Sequence, residues 1–177
     1  KLKDEYIVIG AHYDHLGWGG KGSGSRRPDT TAIHNGADDN ASGVAAVLEI
    51  AEKFALGKKA PKRSILFMAF GAEEMGLLGS KFFTKNPLVE KSQIKQMFNL
   101  DMVGRLSPEK PSLTVGGTGT GTGLEEFLME HAADRSFKIS STPDGYGPSD
   151  HAAFYVEDIP VLFFFTGITE EYHTPLD

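Results

Sequence analysis

Three nearly continuous apolar runs, at 6–9, 64–70 and 160–165, are short enough for strands and too uniformly apolar to leave one face in water. A strand that is apolar on both sides has to be covered on both sides, so these runs belong inside a sheet with helices above and below it. The segment 41–56 supplies the strongest helical pattern. Val44, Val47, Leu48, Ala51, Phe54 and Ala55 recur at helical spacing, with Asp39 and Asn40 as cap candidates and Gly57 as the stop. Further helices are expected over 76–83 and 124–133, and a short one that Ser149 caps and that runs to Tyr155. Further strands are expected over 96–102, 112–115 and 137–139. Strands alternating with helices in this way indicate an α/β fold with a mostly parallel sheet. At 177 residues the chain is expected to form one domain, given the ordinary size of ~150 residues per domain.

Several function classes are disfavoured at once. Lys and Arg number 18 against 24 Asp and Glu, a net charge of −6 with no basic stripe, so nucleic acid is not an expected partner. Uninterrupted apolar runs such as 161–165 fall far short of the ~18–20 residues that a membrane-spanning helix requires, and no membrane crossing is expected. The chain has no cysteine, which excludes disulfides, cysteine nucleophiles and thiolate metal sites. Any metal must therefore be held by His, Asp and Glu. The Gly/Thr-rich stretch 116–123 precedes a helix but lacks the Gly-Lys-Ser/Thr of a phosphate loop, and no Gly-x-Ser-x-Gly elbow is present. The segment 16–37, rich in Gly, Ser and Asp, reads as an exposed, mobile loop that could line a site entrance.

In open α/β sheets ligands bind beyond the carboxyl ends of the strands, and those ends are where this sequence concentrates its chemistry. His12, Asp14 and His15 follow the first strand, and Asp38 and Asp39 precede the long helix. Glu73 and Glu74 follow the second strand, Asp101 ends the third, and Glu171, Tyr172 and His173 follow the last. Taken singly, each has an ordinary explanation: Asp39 alone would be a helix cap. Glu73 and Glu74 together are harder to explain, because adjacent like charges at a sheet crevice are unfavourable unless a cation compensates them. Imidazole and carboxylate are the donors that suit zinc or a similar divalent ion. Two His and three acidic residues suffice for two ions, and a carboxylate such as Asp39 could bridge a pair ~3.5–4 Å apart. A spare carboxylate beside them could take a proton from water.

The order Gly-Ala-His12-Tyr-Asp14, Asn-Gly-Ala-Asp-Asp39-Asn-Ala-Ser-Gly, Glu73-Glu74, Asn-Leu-Asp101, Ser149-Asp150-His151 and Tyr172-His173-Thr resembles the co-catalytic dizinc aminopeptidases of metallopeptidase family twenty-eight, the bacterial leucyl aminopeptidase type. The resemblance implies a three-layer sandwich with a mixed, mostly parallel sheet, the phosphorylase/hydrolase-like zinc exopeptidase fold. It implies two Zn2+ per chain, with His12 and Asp101 on one, Glu74 and His173 on the other, and Asp39, rather than Asp38, bridging them. It makes Glu73 the general base, Asp14 the carboxylate that fixes the His12 tautomer, and Tyr172 a candidate phenol donor to the tetrahedral oxyanion. Relatives line their specificity pocket at the positions of Met102 and Tyr146. Asp150 and His151 are expected to buttress the site by hydrogen bonds. The implied substrate is a peptide with a free N terminus, and the implied location is secreted or periplasmic. Family catalytic domains also carry elements before the first strand and a helix after the last His, so the resemblance implies that such flanks are missing from 1–177.

Three other readings stand beside hydrolysis of N-terminal residues. Glutaminyl cyclase shares the fold but uses one zinc. A glutamate-type carboxypeptidase needs basic groups for its substrate's carboxylates, and no such cluster is evident. A metal-free binding relative would have lost ligands or base, and neither is substituted here.

Overall fold

In the computed structural model, which describes residues 2–133 and 135–177, strands and helices alternate except between the third and fourth strands, which a loop joins. The strands are β1 (Leu2–His12), β2 (Arg63–Phe70), β3 (Ile94–Leu100), β4 (Ser112–Gly116), β5 (Lys138–Thr142) and β6 (Val161–Phe165). The helices are α1 (Gly43–Leu56), α2 (Leu78–Lys85), α3 (Leu124–Ala132) and α4 (His151–Tyr155). One mixed sheet forms in the order β2-β1-β3-β6-β4-β5, parallel at every pairing except β4 with β6.

Alternation along β1 divides the core. Val8 packs with Phe70, Phe83, Ile94, Met97, Phe154, Ile159 and Val161 on the side of α2 and α4, where the Phe154 ring meets Phe70 at 5.8 Å and Phe83 at 5.7 Å. Ile9 and Ala11 pack with Val47 of α1 on the opposite face, joined by Ile7, Val44, Ile50, Ile65, Phe98 and Leu100. With helices on both faces, the three layers are those that continuous apolar strands demand. Among the described residues no helix is long and apolar enough to cross a membrane.

The one antiparallel pairing decides where chemistry can gather. β1, β2, β3 and β6 run the same way, so their carboxyl ends share one edge of the sheet. β4 runs opposite to β6, which sends the glycine-rich segment after it to the other edge, where Thr120 Oγ1 donates to Val161 O and accepts the Val161 N–H. That loop closes the start of β6 and stands apart from the acidic strand ends.

Boundaries differ from the sequence expectation where side chains bind backbone. The third strand ends at Leu100 instead of 102, and Met102 takes a left-handed φ of 51°. Helix α1 begins at Gly43 after a wide turn, Ala37–Ser42. Ser149 is not a side-chain cap for α4: its hydroxyl accepts a hydrogen bond from Asn99 Nδ2 at 2.8 Å instead.

Candidate metal centre

His12 is the last residue of β1, and its imidazole is buried. The ring engages the Asp14 carbonyl through Nδ1 at 3.0 Å, which leaves Nε2 facing Asp39 Oδ1 at 3.3 Å and Asp101 Oδ1 at 3.4 Å. Asp101 sits one residue past β3, its N–H donating to Phe164 O at 3.1 Å. Asp39 arrives from the wide turn before α1, whose Asp39–Asn40 peptide is cis.

Asn40 ties that turn to the end of β3. Its Nδ2 donates to Leu100 O at 2.9 Å, and its Oδ1 accepts from Gly43 N at 2.9 Å and Met102 N at 3.2 Å. Asp38 turns away, accepting the Gly104 N–H at 2.8 Å. Asp39 is thus the member of the pair whose carboxylate faces the imidazoles, and its own N–H is held by Asp177 Oδ2 at 3.0 Å.

On the far side of Asp39 stand two more imidazoles and Glu74. His173 Nε2 lies 3.1 Å from Asp39 Oδ2 and 3.3 Å from Glu74 Oε2. His15 Nδ1 lies 3.0 Å from Glu74 Oε1 and 3.7 Å from Asp39 Oδ2. Donors at ordinary zinc bond lengths around a tetrahedral ion are separated by roughly 3.3–3.6 Å. The spacings on both sides of Asp39 cluster about that edge length, and the donor set of neutral nitrogens and carboxylate oxygens is the one zinc takes. Among the described residues Asp101 Oδ1 is buried with no hydrogen-bond partner, another sign that these residues fit a cation.

Protons and ion pairs occupy these positions when only the protein's own groups are considered. Burial alone would lower the His12 imidazole, but Asp101 and Asp39 beside it push it up to about 12. His173 is likewise pushed up to about 10 by Asp39 and Glu74 against the effect of burial. Burial acts to raise Asp39 and Glu74, yet the imidazoles beside them hold both below the usual carboxylate range. Glu73 behaves differently: burial, with Asp101, Asp150 and Glu74 nearby, raises it to about 8 despite the opposing pull of His12. So many carboxylates at one sheet edge make a strong attractor for divalent cations.

These groups line a cavity of about 360 Å³. Glu73, Met102 and Tyr172 line it together with His12, Asp39, Glu74, Asp101 and His173; Leu77, Phe163, Phe165 and Ile168 supply apolar wall. The Tyr172 ring stacks on His173 with centroids 3.8 Å apart. Tyr146 is not among the lining residues. It is 66% exposed and packs edge-on against Tyr155 at 4.8 Å. Asp14 also departs from the sequence expectation, since the carbonyl of Asp14, and not its carboxylate, meets His12 Nδ1. The nearer carboxylate oxygen stands 3.8 Å from that nitrogen, because the carboxylate accepts the N–H groups of Glu73 and Glu74 at 3.0 and 3.3 Å. Asp150 and His151 are buried, but the Asp150 oxygens and His151 Nδ1 find no hydrogen-bond partner among the described residues.

Sequence reasoning gave no role to His15 or Asp177, nor to the carbonyl of Gly24, which lies 3.1 Å from His173 Nδ1, and it read Asn40 only as a helix-cap candidate, not as the tie to Leu100. His15 alone had a signal, an imidazole three residues beyond His12. The segment 16–37 is anchored more firmly than its composition suggests, with Arg26 N donating to His173 O at 2.9 Å and a bridge joining Gly19 to Thr31.

The family model for Peptidase family M28 matches residues 1–177. The chain is 36% identical over 163 residues to aminopeptidase YwaD of Bacillus subtilis (strain 168), covering 84% of this chain and 34% of that protein. Among solved structures it superposes on the LapA aminopeptidase of Legionella pneumophila with a TM-score of 0.76 and 29% identity, over 100% of this chain and 46% of LapA. It superposes on BSAP, a zinc aminopeptidase from Bacillus subtilis, with a TM-score of 0.72 and 29% identity, over 99% of this chain and 40% of BSAP. The chain therefore spans about a third of its curated relative and less than half of each solved structure.

Proposed function

This chain belongs to peptidase family M28, and we propose from that premise that its site is the two-zinc centre of an aminopeptidase, with His12 and Asp101 on one ion, Glu74 and His173 on the other, and Asp39 between them. The observation that carries the reading is the Asp39 carboxylate, with Oδ1 at 3.3 Å from His12 Nε2 and Oδ2 at 3.1 Å from His173 Nε2. Bound there, zinc would supply polarisation of a peptide carbonyl and an acidified water.

The chain's own residues handle the proton and the charge. Glu73, its backbone fixed by Asp14 and its carboxyl raised to about 8 by burial, is poised for proton exchange near neutral pH. It takes a proton from the attacking water as the new C–O bond forms and returns it to the amine nitrogen as the C–N bond breaks. Burial and the surrounding carboxylates push the Tyr172 phenol up, so it stays protonated and donates to the oxyanion that develops on the carbonyl oxygen.

The cavity favours the amino end of a peptide. Two zinc ions would offset the charge of Asp39, Glu74 and Asp101, which leaves Glu73 to accept a substrate ammonium, and the described lining offers no Lys or Arg to a terminal carboxylate. Its apolar wall of Leu77, Met102, Phe163, Phe165 and Ile168 fits an apolar first side chain. The same lack of a Lys or Arg in the described lining argues against a glutamate-type carboxypeptidase.

The test is hydrolysis of aminoacyl anilides with free and acetylated amino groups. Turnover only of free amines, with leucyl exceeding glutamyl by about tenfold or more in kcat/KM, is expected. Equal turnover of acetylated substrates, or cyclisation of N-terminal glutamine in place of hydrolysis, would contradict it.

A further inference from the structure

We infer that His15 is a sixth protein ligand of the centre, binding the ion on the Glu74 side through Nδ1 together with Asp39, Glu74 and His173. The inference rests on the two-zinc reading above and concerns only how the second ion is held.

His12 and His173 share a recognisable arrangement: one ring nitrogen stands within 3.1–3.4 Å of oxygens from two different carboxylates. His15 shows a looser form of the same arrangement, with Nδ1 at 3.0 Å from Glu74 Oε1 and 3.7 Å from Asp39 Oδ2. It approaches the same two carboxylates that His173 approaches, and its ring meets the His173 ring edge-on at 5.7 Å. His15 Nδ1, an Asp39 oxygen and a Glu74 oxygen lie mutually close enough to hold one ion without His173.

The surroundings hold the His15 ring in place. Its side chain is only 8% exposed, and Gly36, left-handed at φ 63°, lies flat against it. A Cβ at Gly36 would sit 2.7 Å from His15 Cγ and 2.5 Å from Asp39 O, so only glycine lets the imidazole and the Asp39 turn approach this closely. Among the described residues Nε2 is buried without a partner, and the ring's polar engagement there is with the carboxylates of the centre.

Two imidazoles and two carboxylates on the second ion, against one imidazole and two carboxylates on the first, make the halves unequal. The first keeps more open positions for water and substrate, whereas the second is nearly enclosed by protein and binds more tightly.

X-ray absorption at the zinc edge of the two-zinc protein counts imidazoles without reference to activity. Three histidines over two ions give an average of about 1.5 imidazoles per zinc, and His12 with His173 alone gives about 1.0. His15→Asn keeps a donor for Glu74 but removes the ligand, so the average should fall to about 1.0. The second zinc should weaken by more than the roughly 10–100-fold that losing an outer hydrogen-bond partner costs. Two zinc ions with about 1.0 imidazole each in the unaltered protein, or a His15→Asn variant that holds its second zinc within about threefold of the unaltered protein, would overturn the role of His15 and leave the two-zinc reading intact. Fewer than two zinc ions in the unaltered protein would overturn both.

Discussion

The Asp14 carboxylate accepts the backbone N–H of Glu73 at 3.0 Å, so the loop that carries His12 also fixes the turn that carries Glu73 and Glu74. One side chain spans the ends of β1 and β2 and sets the distance between an imidazole and two carboxylates. Asp14→Ala should lower kcat by about 10–100-fold and loosen the zinc on the Glu74 side, the usual consequence of removing a partner that orients a ligand. Asp14→Asn, which keeps one acceptor oxygen, should lose less. Steady-state kinetics beside zinc content of both variants check this, and an Asp14→Ala enzyme with full kcat would remove Asp14 from the account.

Glu73→Gln separates proton transfer from metal binding. The variant should retain its zinc while kcat drops by roughly 10²–10⁴-fold, the range for loss of a general base. Full activity in this variant would place the base elsewhere.

Zinc and protons compete for the same nitrogens. In the ion-free protein His12 and His173 are raised to about 12 and about 10, so both hold a proton at neutral pH and must release it to bind zinc. Zinc affinity should therefore rise with pH, and calorimetry in buffers of different ionisation enthalpy should show net proton release. Both folded-state values lie above the unfolded value of 6.5. The stabilisation these imidazoles give the ion-free protein is thus full below pH 6.5 and fades as pH rises through about 10 and about 12. Zinc binding without proton release would contradict these assignments.

Asp150 and His151 titrate in opposite senses. Burial lowers His151 to about 4, so on acidification from 6.5 the unfolded chain takes a proton that the folded ring refuses, and stability falls over that window. Burial raises Asp150 to about 6, so on acidification the folded carboxyl binds its proton first and stability rises between about 6 and 3.8. The two effects offset each other. His151→Phe, which preserves a ring against Phe163 at the 4.2 Å stacking position, removes one of them. Urea midpoints of this variant should rise relative to the parent as pH drops from 6 to 4.5. Parallel profiles would show that His151 is not what destabilises the fold on acidification.

The sequence was most informative where one residue does one local job. Continuous apolar runs announced the strands, and His12, Asp39, Glu74, Asp101 and His173, read off motif order, come together at one sheet edge. The reversal of β4 left no local trace, because strand direction is fixed by pairing with β6 and not by the residues of β4. Asn40, Asp177 and the Gly24 carbonyl act across 60, 138 and 149 residues of chain, distances at which polar side chains and backbone give no periodic signal. Asp14 was found for its position but credited with the wrong atom, since only the folded turn shows that its carboxylate faces Glu73.

The most direct test of the central claim is anomalous diffraction at the zinc edge from crystals of the zinc-loaded protein. Two peaks about 3.5–4 Å apart, one touching each oxygen of Asp39, are expected. A single peak, or two peaks of which only one touches Asp39, would contradict the shared centre.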